Sequence, residues 1–197
     1  MNNNIVIIGK KGSGKTAFGF ACLEQGVGKK YIFRCPNSNV LKKLPFEVKN
    51  IIHINDLQGL ENSVVLIDEA DLYFDPTEKK VNQQLRDILQ LSRQNNVSFI
   101  FVAHTGYFIN LSLFNFIDTF IFKELSVGHF ERERRFVKQM FERKAQQVKG
   151  IDQLYMWSEE HEGFCTFELP SWYNDKISKM YSVKENKKNI WEILKLK

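Results

Sequence analysis

A glycine-rich segment ending in a lysine and a threonine is the part of this chain whose spacing indicates chemistry most directly. It has the pattern Gly-x4-Gly-Lys-Thr and follows the apolar run 5–8. Glycines at these positions let successive backbone N–H groups turn toward a β-phosphate, and the positive end of a following helix favours the same anion. The predicted phosphate-binding loop consists of Gly9, Lys10, Lys11, Gly12, Ser13, Gly14, Lys15 and Thr16.

The last two residues of this loop have specific expected roles. Lys15 is expected to reach the β- and γ-phosphates, and the Thr16 hydroxyl is expected to be a ligand of Mg²⁺. A glycine-rich turn that binds nothing is the alternative, but the complete spacing between a strand and a helix disfavours it. The chain is therefore expected to bind a nucleoside triphosphate.

Two adjacent carboxylates follow a second apolar run, at 64–67. Asp68 is expected to hold the Mg²⁺ shell as part of a Walker B element. Glu69, one residue further on, is expected to polarise a water for in-line attack on the γ-phosphate. Alternatively, these acids only cap the following turn, which is the role we expect for Asp71 and Asp75. The phosphate loop upstream favours the functional interpretation.

Two further polar residues stand near the third long apolar run, 98–103. His104 follows that run directly, so it is a candidate sensor of the γ-phosphate; a histidine that is simply hydrogen-bonded at a strand end is the alternative. Arg93 precedes the run and could act as an arginine finger on a neighbouring subunit, or could interact only with a helix macrodipole. Arg86 is a weaker candidate for the same finger.

The elements that must position these residues are strands and helices in alternation, which predicts an α/β fold with a mainly parallel sheet flanked by helices. We predict strands at 5–8, 30–34, 50–54, 64–67, 98–103 and 118–123. A first helix is predicted at 17–25. A second should begin after Asp75, with Pro76 in its first turn, and run toward 95–96.

The last third of the chain carries a predicted helix over 130–148, a hairpin of strands at 153–157 and 164–169, and short helices after Pro170. Basic residues in this helix and directly after it outnumber the glutamates and could contact phosphates, or could be simply solvated. They are Arg132, Arg134, Arg135, Lys138, Arg143, Lys144 and Lys149.

Length and composition indicate one domain covering 1–197, with a core at 1–125 and the basic helix, hairpin and tail at 126–197. The chain has 197 residues, a net charge of +5 and 43% hydrophobic residues, with no apolar run long enough to cross a bilayer. Its three cysteines are widely separated, which favours reduced thiols. A cytosolic protein is expected.

Taken together, these motifs resemble the FtsK/HerA-type P-loop ATPases, and among them the small genome-packaging ATPases of membrane-containing icosahedral viruses, including archaeal ones. The resemblance covers residues 5 to about 124 and rests on GKKGSGKT, VVLIDEAD and LSRQNNVSFIFVAHTGYFINLSLFNFIDTFIF. The hairpin and the Leu-Pro-Ser-Trp-Tyr segment are similar more loosely. The third motif discriminates, because many P-loop families share the first two.

The resemblance implies a RecA/ASCE-like P-loop NTPase that uses ATP and Mg²⁺ to drive double-stranded DNA into a preformed capsid, as a homo-oligomeric ring at a capsid or portal vertex. Such relatives usually have Gln where this chain has His104. A P-loop kinase, with residues 131–143 as a lid, and a nucleotide-dependent virion assembly or secretion factor remain the competing functions.

Overall fold

Strands and helices alternate from the amino terminus onward in the computed structural model of the chain, which describes residues 3–108, 111–126, 128, 133, 135–141, 147–174 and 177. The strands are β1 (Ile5–Ile8), β2 (Lys29–Phe33), β3 (Lys49–Ile51), β4 (Ser63–Ile67), β5 (Val97–Ala103), β6 (Thr119–Phe122), β7 (Gln153–Ser158) and β8 (Glu162–Thr166). The helices are α1 (Lys15–Gln25), α2 (Ser38–Leu41), α3 (Lys79–Ser92) and α4 (Arg135–Phe141). Short 3₁₀ turns lie at Ile54–Leu57, Ala70–Leu72, Gly106–Phe108 and Leu111–Phe116.

All eight strands form a single sheet in the order β3-β2-β4-β5-β1-β6-β7-β8. The first six in this order pair in parallel, whereas β7 and β8 add an antiparallel hairpin to β6. The predicted mainly parallel α/β fold with an added hairpin is confirmed. Parallel pairing matters for function because it brings the carboxyl ends of β1, β4, β5 and β6 to one edge of the sheet.

The sheet is buried on both faces, as its nearly continuous apolar strands require. On one face, residues such as Val65, Phe99 and Phe101 pack against Leu85 and Ile88 of α3. On the other face, a second cluster packs against α1; it includes Ile7, Leu66, Val102, Phe20 and Leu23. β1 lies between these two layers, and the glycine-rich loop follows directly from its end.

The predicted start of the second long helix, after Asp75, is wrong. The helix begins at Lys79, and Asp75 Oδ1 instead accepts hydrogen bonds from the backbone N–H and the hydroxyl of Thr77, at 2.8 and 2.7 Å. The carboxylate that resembled a helix cap therefore stabilises a separate turn before the helix. The helix also ends at Ser92, and Asn96 adopts a left-handed conformation with φ of 53°.

Other element boundaries differ from the prediction by a few residues. The third strand ends at Ile51, and a 3₁₀ turn occupies Ile54–Leu57, where the end of a strand was predicted. Of the predicted basic helix, α4 is described, while most of its remaining residues lie outside the described ranges. The region after Pro170 is described only at 171–174 and 177. None of the helices in the described ranges is long and apolar enough to cross a membrane.

Candidate active site

Three of the sequence motifs meet at the carboxyl edge of the parallel strands. The glycine-rich loop follows β1, Asp68 and Glu69 follow β4, and His104 follows β5. Because β5 lies between β4 and β1, the two acids and the histidine are on the same side of the loop. The crevice at the carboxyl ends of the strands is the usual location of ligands in open α/β sheets.

The loop itself has the backbone of a phosphate cradle. Gly12 and Gly14 have φ of 79° and 86°, which is the left-handed region that glycine adopts without a steric penalty. Gly14 is the N-cap residue of α1, so the loop passes directly into the first turn of the helix. At the start of the loop, the backbone N–H of Lys10 donates to Glu124 O at 2.8 Å, and the Lys10 ammonium forms an ion pair with the Glu124 carboxylate.

Lys15 is held beneath the loop with only 7% of its surface exposed. Its ammonium donates to Lys10 O at 2.9 Å and lies 3.4 Å from His104 Nδ1. Burial lowers the pKa of Lys15 from 10.5 to about 8, and the carboxylates of Asp68, Asp71 and Glu69 offset part of that shift. A phosphate entering the loop would stabilise the charged form, so the site favours an anion beside this amine.

The Thr16 hydroxyl and the Asp68 carboxylate are in direct contact, with Thr16 Oγ1 donating to Asp68 Oδ2 at 2.8 Å. Two oxygen ligands at neighbouring positions of an octahedral Mg²⁺ shell, each ~2.1 Å from the metal, lie about 3 Å apart. The spacing and the oxygen chemistry of this pair therefore fit Mg²⁺. Within the described part of the chain, no group of three His, Cys, Asp or Glu side chains is placed to hold a metal.

Asp68 is nearly enclosed, with 5% of its surface exposed. Burial raises its pKa to about 6, and hydrogen bonds from Thr16 and from the Glu69 backbone N–H, the latter at 3.0 Å, act in the opposite direction. A buried carboxylate with this pKa gains free energy from a nearby cation. Its environment is consistent with the metal role predicted for it.

Glu69 is one of four non-glycine residues in the described part of the chain with a left-handed backbone, at φ of 53° and ψ of 44°. This conformation costs a non-glycine residue roughly 1–2 kcal/mol, and such strain concentrates at functional sites. The residue is half-buried immediately after Asp68. Glu69 thus lies beside Asp68 at the end of β4, and its role in polarising a water stays a prediction.

His104 lies at the end of β5, half-buried, with Nδ1 facing the Lys15 ammonium. When the ammonium donates to Nδ1, the proton of a neutral imidazole is on Nε2. Nε2–H is then the hydrogen-bond donor of the ring. The structure thus brings together Lys15, Thr16, Asp68, Glu69 and His104.

Arg93 is the predicted residue that the fold does not bring to this site. It is the C-cap of α3, near the amino end of β5, and its guanidinium pairs with Asp118 Oδ1 at 2.8 Å. The loop lies at the opposite edge of the sheet. Any contact of Arg93 with a nucleotide must therefore involve another subunit, and the finger role stays a prediction. Arg86 is exposed on the same helix.

The basic residues expected to contact DNA are described only in part. Arg135 and Lys149 are exposed and Lys138 is half-buried, while Arg132, Arg134, Arg143 and Lys144 lie outside the described residues. One buried acid links this region to the site. Glu133, with 4% of its surface exposed, accepts hydrogen bonds from Gly106 N on both carboxylate oxygens, at 3.0 and 3.1 Å.

Two residues that support the loop were not among the predicted site residues. Lys123 follows β6 and is completely buried beneath it, and Ile151 packs directly on Gly14. The position of Lys123 was a usable signal, because it is a polar residue directly after an apolar strand, as Asp68 and His104 are. Ile151 stands in a short connecting segment, and no local pattern marks it.

Comparison with solved structures identifies proteins of the same fold. The genome-packaging NTPase B204 of Sulfolobus turreted icosahedral virus 2, in complex with ATP-γS, matches with a TM-score of 0.62 and 14% identity, over 85% of this chain and 97% of that one. B204 of Sulfolobus turreted icosahedral virus, a DNA-packaging ATPase, matches with a TM-score of 0.60 and 16% identity, over 86% and 100% of the two chains.

A third match is EssC (ATPases 2 and 3) from Geobacillus thermodenitrificans, with a TM-score of 0.57 and 16% identity, covering 90% of this chain and 42% of that one. No protein-family model matches the chain. No curated protein sequence matches it either. The chain has the α/β fold of these P-loop NTPases, and at the level of the fold the resemblance to FtsK/HerA-type packaging ATPases is confirmed.

Proposed function

We propose that this protein is an ATP-hydrolysing DNA translocase that packages double-stranded viral DNA into a preformed capsid. The observation that carries the proposal is the convergence of Lys15, the Thr16–Asp68 pair, Glu69 and His104 at one edge of the sheet. The fold shared with the B204 packaging ATPases over nearly their whole length supports the packaging role.

In the proposed reaction, the loop N–H groups and Lys15 bind the β- and γ-phosphates of ATP. Thr16 and Asp68 would hold Mg²⁺, which neutralises charge on these phosphates when it is bound. Glu69 orients a water in line with the γ-phosphate and accepts its proton. Nε2–H of His104 donates to a γ-phosphate oxygen and so registers whether that phosphate is present.

The proposed motor works as a head-to-tail ring, in which a neighbouring subunit completes each site. Arg93 supports this arrangement, because it lies away from its own loop and its side chain is 66% exposed despite the pair with Asp118. An arginine that enters a neighbour's site would neutralise charge on the γ-phosphate as the bond to it breaks.

DNA is proposed to contact the basic segment near 128–149, in which Arg135 and Lys149 are exposed. Glu133 offers a physical connection between this segment and catalysis, since its carboxylate binds Gly106, two residues beyond His104. A capsid or portal vertex protein is the expected partner, and the host cytoplasm or the virion the expected location.

ATP hydrolysis measured with and without double-stranded DNA across a salt series tests the proposal, with Lys15→Ala as the inactive control. We expect DNA to stimulate hydrolysis at low salt and to lose its effect as salt rises, because phosphate contacts release counterions. Absence of stimulation at every salt concentration would favour a virion assembly or secretion factor. Phosphate transfer to an acceptor, with little hydrolysis in its absence, would favour a kinase.

A further inference from the structure

The residues directly before β7 lie against the phosphate loop. This segment comprises residues 148–152 and is named the 148–152 loop. A Cβ built on Gly14 would lie 2.5 Å from Ile151 Cγ1 and 2.7 Å from Ile151 O, so the backbone of Gly14 and this residue are in direct van der Waals contact. Ile151 is nevertheless 41% exposed. Part of an apolar side chain therefore faces solvent immediately beside the loop.

The position of the 148–152 loop is fixed from below by Lys123. This lysine is fully buried, and its ammonium donates to Ile151 O at 2.7 Å and to Gln153 O. The same ammonium lies 4.8 Å from the centre of the Phe167 ring. Phe167 N in turn donates to Asp152 O at 3.0 Å. Ile151 is thus held by a buried cation, and the adjacent Asp152 is held by the residue that follows β8.

The sheet order predicts which part of a nucleotide would meet Ile151. Asp68 and His104 follow β4 and β5, which lie on one side of β1, so the γ-phosphate end of a bound nucleotide belongs on that side. The β6, β7 and β8 strands lie on the other side, and the 148–152 loop precedes β7 at the same edge. A nucleotide that crosses the loop from the γ-phosphate therefore extends its ribose and base toward Ile151.

Aromatic side chains continue the apolar surface there. Phe18, in the first turn of α1, and Phe167, directly after β8, are both half-buried and contact each other edge to face, with ring centres 4.7 Å apart. Nucleobases are recognised by flat or apolar side chains of this kind, with a few polar groups for orientation.

We propose that Ile151, supported by Lys123 and Phe167, forms the platform on which the nucleobase and ribose of the bound nucleotide rest. The platform rests on the proposed function, because it requires a nucleotide in the loop. It contacts the base through side chains that offer no hydrogen bonds. It therefore distinguishes a nucleoside triphosphate from a bare triphosphate, and discriminates little between adenine and guanine.

The test is equilibrium binding of Mg·ATP, Mg·GTP and inorganic tripolyphosphate to the wild type, to Ile151→Ala and to Ile151→Leu. Burying the exposed part of an isoleucine side chain is worth about fivefold in affinity. We expect Ile151→Ala to weaken the binding of both nucleotides about fivefold and to leave the affinity for tripolyphosphate unchanged. Ile151→Leu should retain the affinity for nucleotides. Val27→Ala is the matched control, since Val27 is 91% exposed and lies beyond the far end of α1.

The results of these binding measurements distinguish a failure of the platform from a failure of the proposed function. Failure of the wild type to bind any of the three ligands would overturn the proposed function and the platform together. Unchanged nucleotide affinity in Ile151→Ala would overturn the platform alone. Equal weakening of nucleotides and tripolyphosphate would also overturn it, because Ile151 would then act only by supporting the loop backbone.

Discussion

Two glycines of the phosphate loop offer a matched pair for measuring how tightly the 148–152 loop packs on it. Both have a left-handed backbone, with φ of 79° at Gly12 and 86° at Gly14. Their surroundings differ. A Cβ at Gly12 would meet nothing within 4 Å, whereas a Cβ at Gly14 would lie 2.5 Å from Ile151 Cγ1, 2.7 Å from Ile151 O and 3.3 Å from Ile151 Cα.

Alanine at either position carries the same backbone strain, so the difference between the two variants reports the contact with Ile151. The left-handed conformation alone costs roughly 1–2 kcal/mol. Gly14→Ala adds overpacking of about 1–3 kcal/mol. A rotation of the Ile151 side chain cannot remove this second cost, because two of the three close atoms belong to a backbone that Lys123 holds in place.

We expect Gly12→Ala to lower the free energy of unfolding by about 1 kcal/mol and Gly14→Ala by about 3 kcal/mol. In a domain of this size, the corresponding losses in Tm are about 3 °C and about 10 °C. Thermal and urea denaturation without nucleotide measure both. Gly59→Ala is the control, because Gly59 has open space around it and no left-handed backbone. Equal losses for Gly12→Ala and Gly14→Ala would refute the packing of Ile151 on the loop.

The remaining predictions concern three residues around the site. Burial lowers the pKa of Lys123 from 10.5 to about 8. Burying the protonated amine therefore lowers the free energy of unfolding below pH 8, and this loss is recovered as the pH rises from 8 toward 10.5. In urea denaturation, the free energy of unfolding of the wild type should therefore rise by about 2 kcal/mol relative to that of Lys123→Met between pH 7 and about pH 9.5. A difference between the two proteins that does not change with pH would contradict this. For His104, we expect steady-state phosphate release to be largely retained in His104→Gln, which keeps an N–H donor, and to fall about 100-fold in His104→Ala; equal rates would exclude a role in hydrolysis. Glu133→Ala should lower the free energy of unfolding in urea by about 1–3 kcal/mol, because it leaves the Gly106 N–H unpaired. Glu133→Gln should lower it by less, because one acceptor oxygen remains.

The sequence was sufficient to predict the parts of this protein that depend on local order. Buried parallel strands read as apolar runs, and the glycine spacing after the first run identified the loop. Asp68 and His104 could be placed together because parallel strands end at the same edge of the sheet. The hairpin was predicted from two strand-like segments separated by the polar segment 158–163.

Features that depend on tertiary contacts could not be predicted in this way. Asp75 and Pro76 have the pattern of a helix start, but Thr77 competes for the same carboxylate and the helix begins later. Lys123 acquires its role only when the carbonyls of Ile151 and Gln153 arrive from a segment about thirty residues away. No pattern within a single element carries that information.

Whether this site hydrolyses ATP with Glu69 as the base is tested by comparing ATP affinity with ATP turnover in Glu69→Gln. Glutamine preserves the size of the side chain but cannot accept the proton of the attacking water. We expect Glu69→Gln to bind Mg·ATP within about twofold of the wild type, while hydrolysis falls at least about 100-fold. Hydrolysis at the wild-type rate would contradict the assignment of Glu69 as the base, and with it the proposed mechanism of an ATP-driven motor.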